Sequence, residues 1–204
     1  MTSRLQKAVF HKSAEQLNQC PEESATEVAF AGRSNAGKSS ALNTLTGRRK
    51  LAHVSKTPGR TRLINFFAID RNTYLVDLPG YGYARVPGEM KRQWAALVGG
   101  YLNRRQQICG LVVLMDVRHP MTPLDQQLLD WFATTGKPVL VLLTKADKLS
   151  RSQAANQLQK VEAVLRKHYP GCTVQLFSST GRLGIQQAQD IVTGWLSGAE
   201  ENGR

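Results

Sequence analysis

The sequence predicts a three-layer α/β fold, in which a mostly parallel six-stranded sheet carries one antiparallel hairpin at its edge and helices on both faces. Helix-like and strand-like segments alternate over the second half of the chain, an order typical of parallel sheets. Two near-continuous apolar runs, residues 108–115 and 138–143, have the composition of central strands buried on both faces. A glycine-rich loop at residues 32–39 stands between a strand-like and a helix-like segment. The length of 204 residues suits one domain of this kind.

Local patterns predict the individual elements. Residues 1–26 form a polar extension that is expected to pack on the domain, with Ser13 capping a short helix over residues 14–20. The main domain is expected over residues 27–197 and a frayed tail over 198–204. The predicted strands are residues 27–31, 63–70, 73–77, 108–115, 138–143 and 173–177, and the later predicted helices are residues 40–47, 89–103, 122–135, 151–168 and 185–196.

The glycine-rich loop reads G-x-x-x-x-G-K-S, the pattern of a phosphate-binding loop. Gly32 and Gly37 allow backbone turns in which successive N–H groups point at a phosphate. Lys38 brings a positive charge to the outer phosphates, and the Ser39 hydroxyl is a hard oxygen ligand for Mg²⁺. A helix that begins at the second glycine adds the positive end of its dipole. The candidate phosphate contacts are Gly32, Arg33, Ser34, Asn35, Ala36, Gly37, Lys38, Ser39 and Ser40.

An Asp-Leu-Pro-Gly string follows the second strand of the hairpin. Asp77 in this string can hold Mg²⁺ through water, and the N–H of Gly80 can reach a γ-phosphate. A basic loop over residues 48–61 is longer than a connection needs to be, and Thr61 within it can reach Mg²⁺ only when a γ-phosphate is present. These features predict a nucleotide-dependent switch. The candidate catalytic residues are Lys38, Thr61 and Gly80, and the candidate metal ligands are Ser39, Thr61 and, through water, Asp77.

A base-binding subsite is predicted after the apolar strand that ends at residue 143. The carboxylate of Asp147 can accept the two donors that guanine presents and adenine lacks, so it can reject the wrong base. Lys145 can lay its aliphatic stem across the base plane. Ser178 and Ser179 follow the last predicted strand, where backbone N–H groups could meet guanine O6.

This ordered set of motifs resembles the translation-factor-like small GTPases. The strings Gly-Arg-Ser-Asn-Ala-Gly-Lys-Ser-Ser, Lys-Thr-Pro-Gly-Arg-Thr, Asn-Phe-Phe and Asp-Leu-Pro-Gly-Tyr-Gly-Tyr-Ala resemble more narrowly the bacterial EngB family, also called YihA or YsxC, from about residue 8 to residue 196. The resemblance implies the P-loop GTPase fold, slow hydrolysis of GTP to GDP, Mg²⁺, and a switch role in assembly of the large (50S) ribosomal subunit that supports normal growth and division. It also implies a cytoplasmic location and a partner in the large-subunit precursor, through its rRNA and proteins. The further nucleotide-binding residues that it implies are Gly59, Arg60, Thr61, Asp77, Leu78, Pro79, Gly80, Thr144, Lys145, Ala146, Asp147, Phe177, Ser178 and Ser179.

Some positions depart from the general superfamily pattern or leave two interpretations open. Thr144 stands where Asn is usual, which puts a side-chain bond to guanine N7 in doubt, and the string after residue 177 leaves the O6 contact to the backbone alone. Tyr81 stands where many GTPases have a water-orienting glutamine, and it is either a hydrophobic loop residue or a contact for RNA or protein. Asn35 is either a turn-forming residue or a ligand for K⁺.

Charge points to a polyanionic partner. The net charge is +12, and residues 28–118 hold 15 Lys/Arg against 4 Asp/Glu. This excess is either ordinary solvated charge or a binding surface, most simply for RNA. If the basic residues of the loop after residue 47 meet RNA, the polyanion-binding face and the nucleotide switch are the same surface. Two other functions stay open: a guanine-nucleotide-sensing RNA- or ribosome-binding module with negligible hydrolysis, and a small-molecule kinase, against which the guanine-reading string speaks.

Cysteine usage and hydropathy indicate a cytosolic protein. Cys20, Cys109 and Cys172 are widely spaced and lack metal-ligand spacing, so reduced, packed thiols are expected. No apolar run approaches the roughly 18 residues that span a bilayer, and the N-terminal residues lack the apolar core of a signal peptide. No membrane association is therefore expected, and a monomeric state is a separate expectation.

Overall fold

A seven-stranded sheet with the order β1-β3-β4-β2-β5-β6-β7 organises the computed structural model, which describes residues 3–21, 25–52, 63–82 and 88–202. The strands are β1 (Val9–Ala14), β2 (Thr26–Gly32), β3 (Ile64–Asp70), β4 (Thr73–Asp77), β5 (Ile108–Asp116), β6 (Val139–Thr144) and β7 (Cys172–Leu176). The α-helices in the described part of the chain are α1 (Lys38–Leu45), α2 (Gly88–Arg104), α3 (Pro123–Ala133), α4 (Arg151–His168) and α5 (Ile185–Asn202). Strands β4, β2, β5, β6 and β7 run parallel, and β3 pairs antiparallel with β4. The predicted α/β class and the predicted hairpin are confirmed.

The predicted count of six strands is wrong, because β1 adds a seventh at the edge of the sheet. Residues 9–14 pair antiparallel with β3, with a bulge between Phe10 and Lys12. Ser13 does not cap a helix, since its hydroxyl donates to Oδ1 of Asn65 at 2.7 Å. Only a 3₁₀ turn, Leu17–Gln19, forms where a helix was predicted. The strand conformation of residues 9–14 depends on pairing with a strand some 50 residues away, and no local sequence pattern of these residues predicts it.

Helices cover both faces of the sheet and create two hydrophobic clusters. Helices α1 and α5 pack on one face, and α2, α3 and α4 pack on the other. On the first face, the indole of Trp195 lies where a Cβ on Gly110 would stand, so the glycine allows α5 to approach β5 closely. Helix α5 also continues through Asn202, so residues 198–202 are helical where fraying was expected.

A buried ionic network lies at the amino end of β2. Glu27 is fully buried and accepts hydrogen bonds from the Tyr101 hydroxyl at 2.6 Å and from the Arg105 guanidinium at 2.5 Å. Arg105 also donates to the carbonyl oxygen of Pro21, which attaches the N-terminal segment to this end of the sheet. Burial, with the neighbouring Glu27 carboxylate, raises the pKa of Tyr101 well above its usual value.

The thiols agree with the expectation of reduced, packed cysteines. Cys20, Cys109 and Cys172 are all free, and burial raises the pKa of Cys109 to about 12 and that of Cys172 to about 11. Thiols with such pKa values are poor nucleophiles. Across the described residues, none of the helices is apolar over a length that would cross a bilayer.

Candidate nucleotide-binding site

The phosphate-loop motif connects β2 to α1, as its sequence predicts. Strand β2 ends at Gly32, and α1 begins at Lys38. The turn between them needs left-handed backbone at Asn35, with φ of 65°, and at Gly37, with φ of 89°. A Cβ on Gly32 would lie 2.8 Å from the carbonyl oxygen of Leu114, so glycine is required where β2 and β5 meet. The loop therefore sits at the carboxyl end of the sheet, over the start of a helix, where an anion is favoured.

Lys38 forms an ion pair with Asp77, the last residue of β4. The two side chains are only 10% and 5% exposed, so this pair lies inside the site and not on the surface. Ser39 follows in the first turn of α1. A hydroxyl and a carboxylate that flank one lysine are hard oxygen donors of the kind that Mg²⁺ takes together with phosphate oxygens and waters.

The segment after β4 lies directly against the phosphate loop. Tyr81 pairs with the loop through a parallel β-bridge: its N–H donates to the carbonyl oxygen of Gly32 at 3.3 Å, and its carbonyl accepts from the Ser34 N–H at 2.7 Å. Gly80 stands beside Ser34, since a Cβ on Gly80 would come within 3.5 Å of the Ser34 hydroxyl. That hydroxyl is buried without a hydrogen-bond partner in the described residues. Leu78 is buried, and its N–H donates to Phe30 in β2.

The side chain of Tyr81 is anchored in the core. It is 2% exposed, and its hydroxyl donates to Oδ1 of Asp125 at 2.7 Å. Its ring packs against Trp94, whose indole N–H donates to the carbonyl oxygen of Pro79 at 2.9 Å. Burial and the Asp125 carboxylate raise the pKa of Tyr81 well above its usual value. The structure therefore supports the interpretation of Tyr81 as a packed hydrophobic loop residue. In this conformation its buried side chain cannot contact RNA or a protein partner.

Thr144 joins the base-binding segment to the phosphate loop. Its hydroxyl is buried at the end of β6 and lies 2.6 Å from the carbonyl oxygen of Ala36 and 3.1 Å from that of Met115. One hydroxyl proton can serve only one of these acceptors at a time, and Ala36 is the nearer. The proton is thus used within the protein, which is a physical reason why threonine at this position makes no donor for guanine N7.

Lys145 makes a second connection to the loop. It adopts left-handed backbone with φ of 58°, and its ammonium donates to the carbonyl oxygen of Asn35 at 2.6 Å. The same ammonium lies 3.0 Å from Oδ2 of Asp116. With the ammonium held there, the aliphatic stem spans the space between the phosphate loop and the end of β6, as a base platform requires.

Asp147 is oriented by Ser178. The Ser178 hydroxyl donates to Oδ1 of Asp147 at 2.5 Å and accepts from the N–H of Gly181 at 2.8 Å. The hydrogen bond from Ser178, followed by the contact with Lys148, lowers the pKa of Asp147 below its usual value. The Asp147 side chain stays 23% exposed, so a ligand can reach it as an ionised acceptor.

The backbone of Ser178 is already committed. Its N–H donates to the carbonyl oxygen of Leu183 at 3.0 Å, so it does not supply the predicted contact with guanine O6. Phe177 supports the same turn through its backbone, since its carbonyl accepts from the N–H of Ala146 at 3.2 Å, while its ring is buried in the core. Ser179 is half-buried beside them.

Asp116 and Arg118 belong to the site, although the sequence did not single them out. The Arg118 guanidinium holds the Asp116 carboxylate through two bonds, of 2.9 and 2.6 Å, and Asp116 in turn holds Lys145. Burial by itself would raise the pKa of Asp116, but hydrogen bonds from Arg118 and Lys145 outweigh it and lower the pKa well below its usual range. An aspartate at the carboxyl end of a central parallel strand was the available signal.

The structure thus brings together the residues of the phosphate loop, the Asp-Leu-Pro-Gly string and the base-binding strings. The predicted contacts at Gly59, Arg60 and Thr61 lie outside the described residues. No group of three His, Cys, Asp or Glu side chains that could hold a metal by itself occurs among residues 3–21, 25–52, 63–82 and 88–202.

A doubly wound sheet with this loop, this Asp string and this base-binding turn defines a GTPase of the P-loop class. Residues 27–145 match the family described as 50S ribosome-binding GTPase. The chain belongs to the EngB family of GTP-binding proteins, because it is 54% identical over 198 residues to a protein of Methylobacillus flagellatus named probable GTP-binding protein EngB, a match that covers 97% of this chain and 95% of the relative.

Solved structures share the fold. The crystal structure of a probable GTP-binding protein engB has a TM-score of 0.65 at 24% identity, over 84% of this chain and 99% of the other. Era, in complex with MgGDPNP and nucleotides 1506–1542 of 16S ribosomal RNA, also has a TM-score of 0.65, at 21% identity, over 84% of this chain and 57% of Era. The family and the fold together make the chain a GTP-binding protein and a GTPase.

Proposed function

We propose that this EngB-family GTPase is a slow nucleotide-dependent switch in the cytoplasm, acting in assembly of the large ribosomal subunit. The observation that supports a nucleotide-dependent switch is the β-bridge between Tyr81 and the phosphate loop. Since both backbone groups of Tyr81 bond to the loop, a γ-phosphate that contacts Gly80 would act on a segment already coupled to the rest of the phosphate site.

The described residues fit a triphosphate with Mg²⁺. In this proposal Lys38 leaves Asp77 for the outer phosphate oxygens, and the N–H of Gly80 donates to the γ-phosphate. Ser39, Asp77 through water, and Thr61 from outside the described residues would hold the metal, which when bound neutralises charge between the phosphates. Ser39 and Asp77 are the proposed protein donors within the described residues, which fits the preference of Mg²⁺ in such sites for oxygens of phosphates and water.

Base choice is assigned to Asp147, oriented by Ser178. The Ser178 hydroxyl holds Oδ1 of the ionised carboxylate, and Oδ2, which lies 3.4 Å from the exposed Lys148 ammonium, is the oxygen left for the N1 and N2 donors of guanine. Lys145, fixed between Asn35 and Asp116, would cover the face of the base. Ser179 takes over from Ser178 as the proposed backbone donor to guanine O6.

The buried position of Tyr81 supports the proposal of slow turnover. Its hydroxyl is committed to Asp125 and its ring is buried, so it cannot orient the attacking water as a glutamine would. The same observation favours the second candidate function, a ribosome-binding sensor with negligible hydrolysis.

A K⁺ ion bound by the exposed Asn35 side chain would supply positive charge beside the phosphates, and hydrolysis would then be faster in K⁺ than in Na⁺ at equal ionic strength. Equal rates in the two salts would exclude that role for Asn35.

Charge and fold relatives support a ribosomal partner. The family description names 50S ribosome binding, and the fold neighbour Era is described with ribosomal RNA. The excess of Lys/Arg over residues 28–118 supplies the charge that such a partner needs.

Two measurements test the proposal. Co-sedimentation with large-subunit particles is expected with a non-hydrolysable GTP analogue and is expected to weaken with GDP. Single-turnover phosphate release with and without particles separates the candidates, because a switch GTPase is accelerated by its partner whereas a sensor stays inactive. Sedimentation that is absent in every nucleotide state would refute the ribosomal role.

A further inference from the structure

A basic edge, defined here as Lys7, Arg48, Arg49 and Lys50, lies where the N-terminal segment meets the loop after α1. All four side chains are exposed. The Arg48 guanidinium donates to the carbonyl oxygen of Gln6 at 3.1 Å, which brings the loop beside Lys7. Within the described residues, no ion pair joins any of the four to an acidic side chain.

The loop that carries three of these charges is held in place by Asn43. The Asn43 side chain accepts from the N–H of Ala52 at 2.8 Å and donates to its carbonyl oxygen at 2.9 Å, as a neighbouring strand would. Ala52 itself is buried in the cluster between α1, α5 and the sheet. The backbone that carries Arg48, Arg49 and Lys50 is therefore held in place, which lowers the entropic cost of binding a polyanion.

The basic edge lies at the opposite end of the sheet from the phosphate loop. Arg4 pairs with Asp70 at 2.5 Å, so the N-terminal turn sits beside the β3–β4 connection. That connection ends at Thr73, which is the register partner of Thr26, the first residue of β2, whereas the phosphate loop begins at the last residue of β2. Seven residues of strand separate the two ends by roughly 20 Å. Arg48, Arg49 and Lys50 therefore lie at the opposite end of the sheet from the phosphate loop. The expected surface shared with the switch includes residues 53–62, which lie outside the described residues.

An exposed aromatic ring stands next to this charge. Phe10 is 58% exposed. Its ring packs edge-on against the ring of Phe67, with 6.1 Å between the ring centroids. Three residues of chain keep Phe10 within roughly 10 Å of Lys7. Basic side chains beside an exposed aromatic ring are the arrangement that binds single-stranded nucleic acid, with phosphates on the cations and a base on the ring.

We infer that the basic edge and Phe10 bind single-stranded RNA, and that they do so equally well in the GTP and GDP states. This inference rests on the proposed function for the source of the RNA, which is ribosomal. The protein then has two separate contacts with its partner: a constant one at the basic edge, and a nucleotide-dependent one at the opposite end of the sheet. The constant contact holds the protein on the particle while the switch turns over.

The test is fluorescence anisotropy of the full chain with a labelled single-stranded 12-nucleotide RNA at several KCl concentrations. The triple variant R48S/R49S/K50S is expected to bind about tenfold or more weakly at low salt, with a log–log salt slope flatter by about 2, since each lost phosphate contact removes about 0.7. The control variant R151S/K160S/K167S removes the same charge from exposed positions on α4, and wild-type binding is expected for it. Equal behaviour of the two variants would overturn the inference, since total charge would then decide binding.

Phe10→Ala separates RNA from other polyanions. It is expected to weaken RNA binding about fivefold or more, in line with base stacking on an aromatic side chain, and to leave binding of inorganic polyphosphate unchanged. Loss of polyphosphate binding as well, or tighter binding of wild-type protein to anionic lipid vesicles than to RNA, would overturn the assignment to RNA. Wild-type affinity for RNA should agree within about twofold between GDP and the GTP analogue, and a large difference would refute the independence from nucleotide.

The inference and the proposed function can fail separately. If the triple variant keeps wild-type RNA affinity while the wild type sediments with particles in the GTP state, the basic edge is refuted and the ribosomal switch stands. If the wild type never sediments with particles but its RNA binding depends on the basic edge, the ribosomal switch is refuted and the RNA site stands.

Discussion

The hydroxyl of Thr144 lies 2.6 Å from the carbonyl oxygen of Ala36, so a single side chain joins strand β6 to the phosphate loop. The base-binding residues follow Thr144 directly, and Ala36 precedes the second glycine of the loop. This buried hydrogen bond therefore couples the two halves of the nucleotide site, in addition to the bond from Lys145 to the carbonyl oxygen of Asn35.

Thr144→Val tests that coupling, because valine keeps the shape and removes the donor. The carbonyl of Ala36 would lose a buried partner at a cost of about 1–3 kcal/mol, and we expect GDP affinity to fall about tenfold in calorimetric titration. Thr144→Ser restores the hydroxyl and should bind GDP like the wild type. Weak binding by the serine variant would show that the methyl group, and not the hydrogen bond, is what matters.

Lys38→Ala is expected to lower stability as well as nucleotide affinity. Removing the lysine leaves the carboxylate of Asp77 buried without its cation, which typically costs about 3 kcal/mol or more. The double variant Lys38→Ala with Asp77→Asn should recover most of that loss in urea unfolding, while its GDP affinity stays as low as that of the single variant. A single variant as stable as the wild type would mean that water satisfies Asp77.

Asp147→Asn should change base preference from guanine toward xanthine, because the amide offers the donor that the C2 carbonyl of xanthine needs. Competition between GTP and XTP measures this. Ser178→Ala is the matched control: it removes the hydrogen bond that orients Asp147, so GTP affinity should drop, but XTP should gain nothing. Unchanged preference in the asparagine variant would remove Asp147 from base recognition.

The free energy of unfolding is expected to fall in alkaline solution because two buried tyrosines have higher pKa values in the folded protein than in the unfolded chain. The pKa of Tyr81 and that of Tyr101 are both raised well above 10 in the folded protein. Below about pH 10 both states keep these protons, so the stability is fully present, and above that pH the unfolded chain loses protons that the folded chain retains, so the stability falls. Tyr81→Phe should cost about 1–2 kcal/mol near pH 8 and reduce the alkaline slope. Denaturant unfolding at several pH values measures both, and a slope equal to that of the wild type would contradict the buried hydrogen bond with Asp125.

Most of the fold could be predicted because its signals are local. The continuous apolar runs that became β5 and β6 are themselves the signal of buried strands, and the helix over residues 151–168 carries its apolar period in its own sequence. Strand β1 lacks such a signal, since an edge strand needs few apolar residues and owes its conformation to pairing with β3. The sequence did not predict the extension of α5 through Asn202 for a related reason, because polar residues neither favour nor forbid a continued helix.

For the site, the sequence by itself determined which strings are candidates for phosphate and base binding, because phosphate and base recognition need residue types at fixed spacing within strings of four to eight residues. The tertiary structure decided how those strings act on one another. It placed Asp116 beside Lys145, used the hydroxyl of Thr144 within the protein, and buried Tyr81 against Asp125. It also moved Arg48, Arg49 and Lys50 away from the phosphate loop, to the far end of α1. The first three of these contacts join residues far apart along the chain, and only the assembled sheet, with its helices packed on it, brings them within hydrogen-bond distance.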